Sequence, residues 1–189
     1  MKTNPVTLSL IIPAFNEENR IGPSLEQILR FCNAQPYGYE VIIVDDGSTD
    51  GTLSLIRERF GNHPQLRILR QPVRWGKGAA VQEGMRQSRG DYVIFTDADL
   101  AVPITTLPEF LDKLKNGYDI AIGSRRIPGS NIEVHQPWLR EALGKVFIWL
   151  SNALLNLDHS DITCGFKGFR RDIAGRLCSQ QRVHNWSFD

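Results

Sequence analysis

Short apolar segments alternate with amphipathic segments along much of this chain, and this alternation limits the folds that it can adopt. We predict strands at residues 7–12, 40–44, 66–69, 92–95 and 119–123, and helices at residues 19–31, 52–60, 78–88 and 107–116. Most of these strands are apolar throughout, which is typical of a sheet that is buried on both faces. The sequence therefore predicts an α/β fold, with a mostly parallel central sheet and helices on both faces.

Composition limits the size, the partners and the location of the protein. With 189 residues, of which 41% are hydrophobic, the chain is long enough to form one compact domain over residues 1–189. A net charge of +1 gives no sign of a nucleic-acid partner. The three cysteines are widely spaced and form no CxxC pair, so we expect reduced thiols in the cytosol. No apolar run reaches the roughly 18 residues of a membrane span, which predicts a soluble or peripheral protein.

Polar motifs follow three of the predicted strands at the point where each strand ends. These motifs occupy residues 13–18, 45–51 and 97–99. Because the carboxyl ends of parallel strands meet at one edge of a sheet, we expect the three motifs to lie along that edge, where ligands bind in such folds. No GxGxxG motif follows the first strand, which argues against a site for NAD.

Two aspartates, Asp97 and Asp99, come directly after the strand at residues 92–95. In extended backbone their side chains would project to the same side, with Ala98 opposite. Two carboxylates on one side suit Mg²⁺ or Mn²⁺, which protein carboxylates and substrate phosphates hold together. The alternative is a solvated turn or a helix cap. A helix-capping loop is likewise the alternative interpretation of residues 48–50.

Several ordered motifs together resemble the family 2 glycosyltransferases of the GT-A fold. They are IIPAFNEE at residues 11–18, VDDGSTDGT at 44–52, GKGAAVQEGM at 76–85 and TDADLAVP at 96–103. GSRR at 123–126 and DITCGFKGFRR at 161–171 narrow the resemblance to the transferases that act on polyprenyl phosphates. The wording of these motifs is more similar to the dolichyl-phosphate β-glucosyltransferases than to the mannosyltransferases.

This resemblance implies a metal-dependent, inverting transfer of a hexose from a nucleotide sugar to a polyprenyl or dolichyl phosphate, with Mg²⁺ or Mn²⁺ at Asp97 and Asp99. UDP-glucose is the favoured donor and GDP-mannose is the next. The residues implied to bind the nucleotide sugar are Pro13, Phe15, Glu17, Val44, Asp46, Asp97, Ala98, Asp99 and Arg125. Phe15 stands where the mannosyltransferases commonly have a tyrosine, so no phenolic hydroxyl is present there.

Cations are expected around the donor and acceptor phosphates. Lys77 lies in a glycine-flanked loop and could face the nucleotide, with a solvated turn as the alternative. Arg125 and Arg140 are implied to take part in catalysis by positioning the phosphates for in-line attack. Lys167, Arg170 and Arg171 are further candidates, for which ordinary surface charge is the alternative.

The segment at residues 138–157 is apolar on nearly every helical face, with few charged residues. It predicts either a buried core helix or, as we favour, a helix in the membrane interface where a lipid acceptor is met. The expected location is therefore the cytoplasm, at the cytosolic face of a membrane.

Two other functions stay open from the sequence. One is a family 2 transferase that acts on a sugar or protein hydroxyl and needs a general base, for which Asp189 is the candidate. The other is a catalytically silent module that binds nucleotides. The resemblance implies a further strand and a basic segment beyond the position of Asp189, where this sequence ends.

Overall fold

The structure is a computed structural model that describes residues 5–123 and 164–183. Residues 1–121 and 165–189 group into one compact unit, and residues 122–164 group separately. The described strands are β1 (Val6–Ala14), β2 (Gly38–Asp45), β3 (Leu66–Arg70), β4 (Tyr92–Thr96), β5 (Ile120–Ile122) and β6 (Phe166–Arg170). The described helices are α1 (Ile21–Asn33), α2 (Thr52–Phe60), α3 (Lys77–Gln87), α4 (Leu107–Lys115) and α5 (Arg171–Gln180), with a 3₁₀ turn at Ile104–Thr106.

The strands form one six-stranded sheet in the order β3-β2-β1-β4-β6-β5. Strands β1 to β4 pair in parallel, and β6 runs antiparallel to β4. The carboxyl ends of β1, β2 and β4 therefore lie at the same edge. The predicted α/β class with a mostly parallel sheet is confirmed.

One face of the sheet packs against α3 and α5. Its core includes Ile11, Val93 and Phe95, together with Ala80 of α3 and Ala174 of α5. Helix α3 approaches the sheet so closely that a Cβ atom at Gly84 would overlap the Ile11 side chain. This contact explains why a small residue is needed there, since burial of apolar surface drives the packing.

The opposite face packs against α4, in the same close manner. A Cβ atom at Gly168 of β6 would lie 3.2 Å from both Ile94 and Leu114. Phe110 of α4 also meets Phe166 edge to face, with ring centroids 4.7 Å apart. Helices thus cover both faces, as the apolar strands predict.

A buried hydrogen-bond network ties the amino-terminal halves of three strands together. The Ser9 hydroxyl donates to Glu40 Oε1 at 2.6 Å, and the Gly90 amide donates to the same hydroxyl oxygen at 2.8 Å. Arg67 on β3 donates to Glu40 Oε2 at 2.9 Å. Because Glu40 is 4% exposed, these donors are what offset the cost of burying its charge.

None of the helices in the described ranges is long and apolar enough to cross a membrane. The predicted helix at residues 138–157 lies outside the described residues. The strands and helices predicted within the described ranges all exist, with ends that shift by one or a few residues. Strand β6 and helix α5 were not predicted.

Candidate functional site

The loop that follows β1 is joined to the loop that follows β2 by reciprocal hydrogen bonds. The Asn16 amide donates to Ser48 Oγ at 3.0 Å, and the Thr49 amide donates to Asn16 Oδ1 at 2.9 Å. One residue pair further along, the Gly51 amide donates to Glu18 Oε2 at 2.6 Å. Two of the predicted polar motifs therefore lie side by side at the carboxyl edge of the sheet.

Asp46, at the end of β2, holds a third loop in place. Its carboxylate accepts from the Trp75 amide at 2.7 Å and from the Gly76 amide at 2.9 Å. The neighbouring Gly47 has a φ of +71°, and a Cβ there would lie 2.9 Å from the Arg74 amide nitrogen. Glycine is required at this position because both the backbone conformation and the close approach of residue 74 exclude a side chain. Asp46 itself is 3% exposed.

Lys77 follows this loop as the first residue of α3 and reaches the loop after β4. Its ammonium lies 2.7 Å from Asp97 Oδ1 and 5.9 Å from the centroid of the Phe95 ring. The residues Asp46, Lys77 and Asp97 thus belong to one continuous set of contacts. The predicted convergence of the three motifs at one edge is confirmed.

The backbone at Asp97 to Leu100 is a turn, and the expected extended conformation is wrong. The Leu100 amide donates to the Asp97 carbonyl at 3.2 Å, and Leu100 has a φ of +51°. Asp99 Oδ1 accepts from the Ala101 amide at 3.0 Å, which is the local hydrogen bond that aspartate commonly makes in turns. Asp99 Oδ2 lies 4.0 Å from an Arg20 guanidinium nitrogen. The alternation of side chains in a strand therefore gives no reason for the two carboxylates to share a side.

Gly165, just before β6, sets the position of the Asp97 carboxylate. A Cβ atom at Gly165 would overlap Asp97 Oδ2 and lie 2.5 Å from Asp97 Cγ. The Asp97 side chain is 36% exposed, so it packs on this glycine on one side and meets solvent on another. The contact explains why a glycine directly precedes β6.

Phe15 forms part of the same edge, with a cation stacked on it. The Arg74 guanidinium lies 4.0 Å from the centroid of the Phe15 ring. The Glu17 amide donates to Thr52 Oγ1 at 2.7 Å, and its carboxylate forms two hydrogen bonds with Arg20. Val44 is buried at the end of β2, and Pro13 is partly exposed on β1. The predicted nucleotide-site residues on β1 and β2 are therefore neighbours in the fold.

The candidate cations of β6 and α5 separate into two groups. Lys167 is 5% exposed and lies in register with Phe95, with its ammonium 6.0 Å from the Phe95 ring centroid. Arg170 pairs with Tyr92, at the far end of β4, and Arg171 donates to the Arg89 carbonyl there at 3.1 Å. Because β6 is antiparallel to β4, Arg170 and Arg171 lie at the opposite edge, and their proposed role in phosphate positioning is wrong. Arg125 and Arg140 lie outside the described residues, as does Asp189.

Folding shifts the pKa values of one carboxyl group in the loop after β2 and of two cysteines elsewhere in the fold. Desolvation favours a higher pKa for Asp50, but hydrogen bonds from the Thr52 hydroxyl, the Thr52 amide and the Glu18 amide outweigh it and lower that pKa below its ordinary value. Burial raises the pKa of the Cys32 thiol to about 12, and burial also raises the pKa of Cys178. None of the three cysteines forms a disulfide bond.

Arg74, Trp75, Asn16 and Gly165 are site residues that the sequence interpretation did not single out. Arg74 and Trp75 lie in a loop with no periodic pattern, and only Gly47 and Gly76 give a signal of close backbone approach.

Within residues 5–123 and 164–183, no three or more His, Cys, Asp or Glu side chains group to hold a metal ion. A metal ion at this edge would therefore need ligands besides Asp97 and Asp99, such as water or phosphate oxygens.

Comparison with known proteins gives a family and a set of relatives. The family described as Glycosyl transferase family 2 matches residues 9–178. A dolichyl-phosphate beta-glucosyltransferase of Trichomonas vaginalis is 35% identical over 194 residues, covering 97% of this chain and 58% of that protein. One from Dictyostelium discoideum is 33% identical, covering 98% of this chain and 62% of the relative. A dolichol-phosphate mannosyltransferase of Pyrococcus furiosus is 34% identical over 170 residues, covering 88% of this chain and 47% of the relative.

The chain therefore spans less than two thirds of the length of each of these relatives. Among solved structures, the mannosyltransferase PcManGT from Pyrobaculum calidifontis, in complex with GDP-Man and Mn²⁺, has a TM-score of 0.62 at 24% identity, covering 90% of this chain and 46% of that one. Glucosyl-3-phosphoglycerate synthase from Mycobacterium tuberculosis, in complex with Mn²⁺, UDP and phosphoglyceric acid, has a TM-score of 0.65 at 22% identity, covering 88% and 56%. These likenesses confirm the predicted GT-A fold, and the match over residues 9–178 shows that the chain belongs to glycosyl transferase family 2.

Proposed function

We propose that this chain is the catalytic domain, over residues 1–189, of a metal-dependent inverting hexosyltransferase. The donor is a nucleotide sugar, with UDP-glucose favoured and GDP-mannose next, and the acceptor is a polyprenyl or dolichyl phosphate. The observation that carries the proposal is the set of contacts at the carboxyl edge, where Asp46 holds the loop before α3 and Lys77 meets Asp97 at 2.7 Å.

The donor set at this edge fits a hard divalent ion. Asp97 and Asp99 are both partly exposed, with 36% and 43% of their side chains accessible, and they offer carboxylate oxygens to a ligand from solvent. Two protein carboxylates leave room for water and phosphate oxygens, which is the way Mg²⁺ is commonly held. When bound, Mg²⁺ or Mn²⁺ neutralises charge on the diphosphate as it leaves the anomeric carbon.

The described residues provide the rest of the donor site. Phe15 and the Arg74 guanidinium stacked on it present a flat surface suited to a nucleobase. Asp46 and Gly47 fix the neighbouring loops, so this surface is preorganised before the donor binds. Pro13, Glu17, Val44 and Ala98 are proposed to complete the lining of the nucleotide site.

The proposed acceptor explains why the chemistry needs no general base. A polyprenyl phosphate is an anion at neutral pH and can attack the anomeric carbon directly, so a single displacement inverts that centre. The remaining requirement is that cations hold two phosphates in line, and we propose Arg125 and Arg140 for this task. The helix proposed at residues 138–157 would lie in the membrane interface, with the domain at its cytosolic face.

The relatives favour the choice of donor and acceptor. Two of them are named dolichyl-phosphate beta-glucosyltransferases, and one is a dolichol-phosphate mannosyltransferase. The solved structures bind GDP-Man with Mn²⁺ or UDP with Mn²⁺. These names support our proposal of glucose transfer from UDP-glucose, with mannose transfer from GDP-mannose as the next candidate.

A two-by-two screen tests the proposal. Two proteins are compared, the purified chain and a version extended to the length of its relatives. Each is incubated with labelled UDP-glucose or GDP-mannose and with either dolichyl phosphate or soluble sugars. We expect UDP-glucose to label dolichyl phosphate, and to do so only when Mg²⁺ or Mn²⁺ is present. Labelling of a soluble sugar instead would show that the acceptor is a hydroxyl, and an absence of nucleotide binding in both versions would contradict the proposal.

A further inference from the structure

The carboxylate of Asp97 already has a cationic partner within the chain. The Lys77 ammonium lies 2.7 Å from Asp97 Oδ1, and the Lys77 side chain is 10% exposed, whereas that of Asp97 is 36% exposed. The ammonium also lies 5.9 Å from the Phe95 ring centroid, within range of a cation–π contact. This pair is therefore partly shielded from solvent, unlike the surface ion pairs that contribute little.

The other oxygen of Asp97 is restricted by the backbone. A Cβ atom at Gly165 would overlap Oδ2, so this oxygen packs directly on the start of β6. An ion that approaches Asp97 from solvent therefore meets a carboxylate that is packed at one oxygen and paired with Lys77 at the other. Two cations at one carboxylate repel each other, so binding of a metal ion must compete with Lys77.

The position of Lys77 is coupled to the proposed nucleotide site. Gly76, directly before it, has a φ of +107° and donates its amide to Asp46 at 2.9 Å. The first residue of α3 is thus anchored next to Asp46 while its side chain reaches Asp97. Residues 76 and 77 therefore link the Asp46 carboxylate, through the Gly76 amide, to the Asp97 carboxylate, through the Lys77 side chain.

We propose that Lys77 is a placeholder cation: it neutralises Asp97 in the free protein and moves to the donor diphosphate when nucleotide and metal bind together. This inference rests on the proposed function, and it assigns Lys77 a positioning role. It predicts that metal alone binds weakly, because the ion must displace the Lys77 ammonium from Asp97. It also predicts that nucleotide increases the affinity for metal, and metal the affinity for nucleotide, by the same factor.

The test is a titration of the full chain with Mn²⁺, followed by electron paramagnetic resonance of the free ion, with and without UDP. The wild-type protein is compared with Lys77→Met, which keeps an unbranched apolar side chain one atom shorter than lysine and removes the charge. We expect Lys77→Met to bind Mn²⁺ about tenfold more tightly than wild type in the absence of UDP, since a partly buried competing charge is lost. We also expect the increase in Mn²⁺ affinity caused by UDP to become smaller in the variant. A merely structural lysine would not produce this gain of affinity.

Two control variants make the result specific. Lys113→Met removes the same charge from α4, where the lysine faces the Tyr118 ring, and should leave Mn²⁺ affinity unchanged. Lys77→Arg keeps the charge and should bind Mn²⁺ as weakly as wild type. Should Lys77→Met fail to fold, as judged by circular dichroism, Lys77→Gln takes its place in the same titration.

The failures of the inference and of the proposed function are distinguishable. Equal or weaker Mn²⁺ binding by the charge-removing variant, with UDP-dependent Mn²⁺ binding intact in wild type, would overturn the placeholder role alone. If wild type and variant both fail to bind Mn²⁺ in the presence of UDP, the metal site itself is wrong, and the placeholder role is wrong with it.

Discussion

Replacing Gly165 with alanine should damage the proposed metal site while leaving the fold largely intact. The added Cβ would lie 2.5 Å from Asp97 Cγ, more than about 1 Å inside the usual contact distance between carbon atoms. Asp97 is partly exposed, so we expect its side chain to rotate toward solvent and lose the Lys77 contact. The backbone of β6 then stays in place.

The structure sets the magnitude of this effect. Loss of a partly shielded ion pair costs about 1 kcal/mol, and residual crowding at β6 adds about 1 kcal/mol. We therefore expect the free energy of unfolding to fall by about 1–2 kcal/mol for Gly165→Ala. Affinity for Mn²⁺ in the presence of UDP should fall by about tenfold or more, because one of the two proposed ligands has moved.

The assay combines urea unfolding with an Mn²⁺ titration in the presence of UDP. Gly175→Ala is the matched control, since a Cβ atom at Gly175 in α5 would meet nothing within 4 Å. Alanine there should stabilise the helix by about 0.5–1 kcal/mol and leave Mn²⁺ affinity unchanged. Wild-type Mn²⁺ affinity in Gly165→Ala would refute the placement of Asp97 against Gly165.

Three further changes test other parts of the structure. Asp46→Ala removes the acceptor of the Trp75 and Gly76 amides. It should lower the free energy of unfolding in urea by about 1–3 kcal/mol and weaken nucleotide binding in calorimetry. Unchanged nucleotide binding would contradict the place of Asp46 in the site. Glu40→Gln should cost about 1–3 kcal/mol in unfolding without changing nucleotide affinity, because this buried residue lies at the amino-terminal side of the sheet. Folding lowers the pKa of Asp50, so its contribution to stability is present above its unfolded pKa and is lost as pH falls through its folded pKa. In Asp50→Asn, the free energy of unfolding should therefore fall less steeply with decreasing pH in acid. An unchanged pH dependence would refute the lowered pKa of Asp50.

The sheet was predictable from the sequence because its parallel strands are apolar runs. Val41 to Val44 and Val93 to Phe95 are buried and continuous, so their pattern indicates a covered sheet without any knowledge of partners. Strand β6 reads FKGFR, in which Lys167 and a glycine interrupt the apolar pattern, and it was not predicted. Lys167 is nonetheless 5% exposed, so tertiary contacts outweigh the local pattern.

The convergence of the motifs was predictable, but their detailed geometry was not. Parallel strands bring their carboxyl ends together whatever the side chains are. The turn at Asp97 depends on Leu100 with a φ of +51°, and a leucine gives no sequence signal for that conformation. The Lys77 to Asp97 pair depends on where α3 begins relative to β4, which no local pattern specifies.

The direction of β6 explains the wrong expectation for two arginines. A motif of eleven residues at 161–171 suggests that all its cations serve one site. The antiparallel strand instead separates Lys167 from Arg170 and Arg171, because each residue of a strand advances about 3.3 Å along its axis. Of these three cations, only Lys167 lies near the carboxyl edge.

We propose that Asp97 and Asp99 bind a divalent ion together with a nucleotide at the carboxyl edge of the sheet. The decisive experiment is a calorimetric titration with UDP, in the presence and absence of Mn²⁺. It compares wild type with Asp97→Asn, Asp99→Asn and the control Asp112→Asn, which changes an exposed residue of α4. We expect Mn²⁺-dependent UDP binding in wild type and control, and its loss in both site variants. Equal UDP binding by all four proteins, with or without Mn²⁺, would show that the two aspartates hold no such ion.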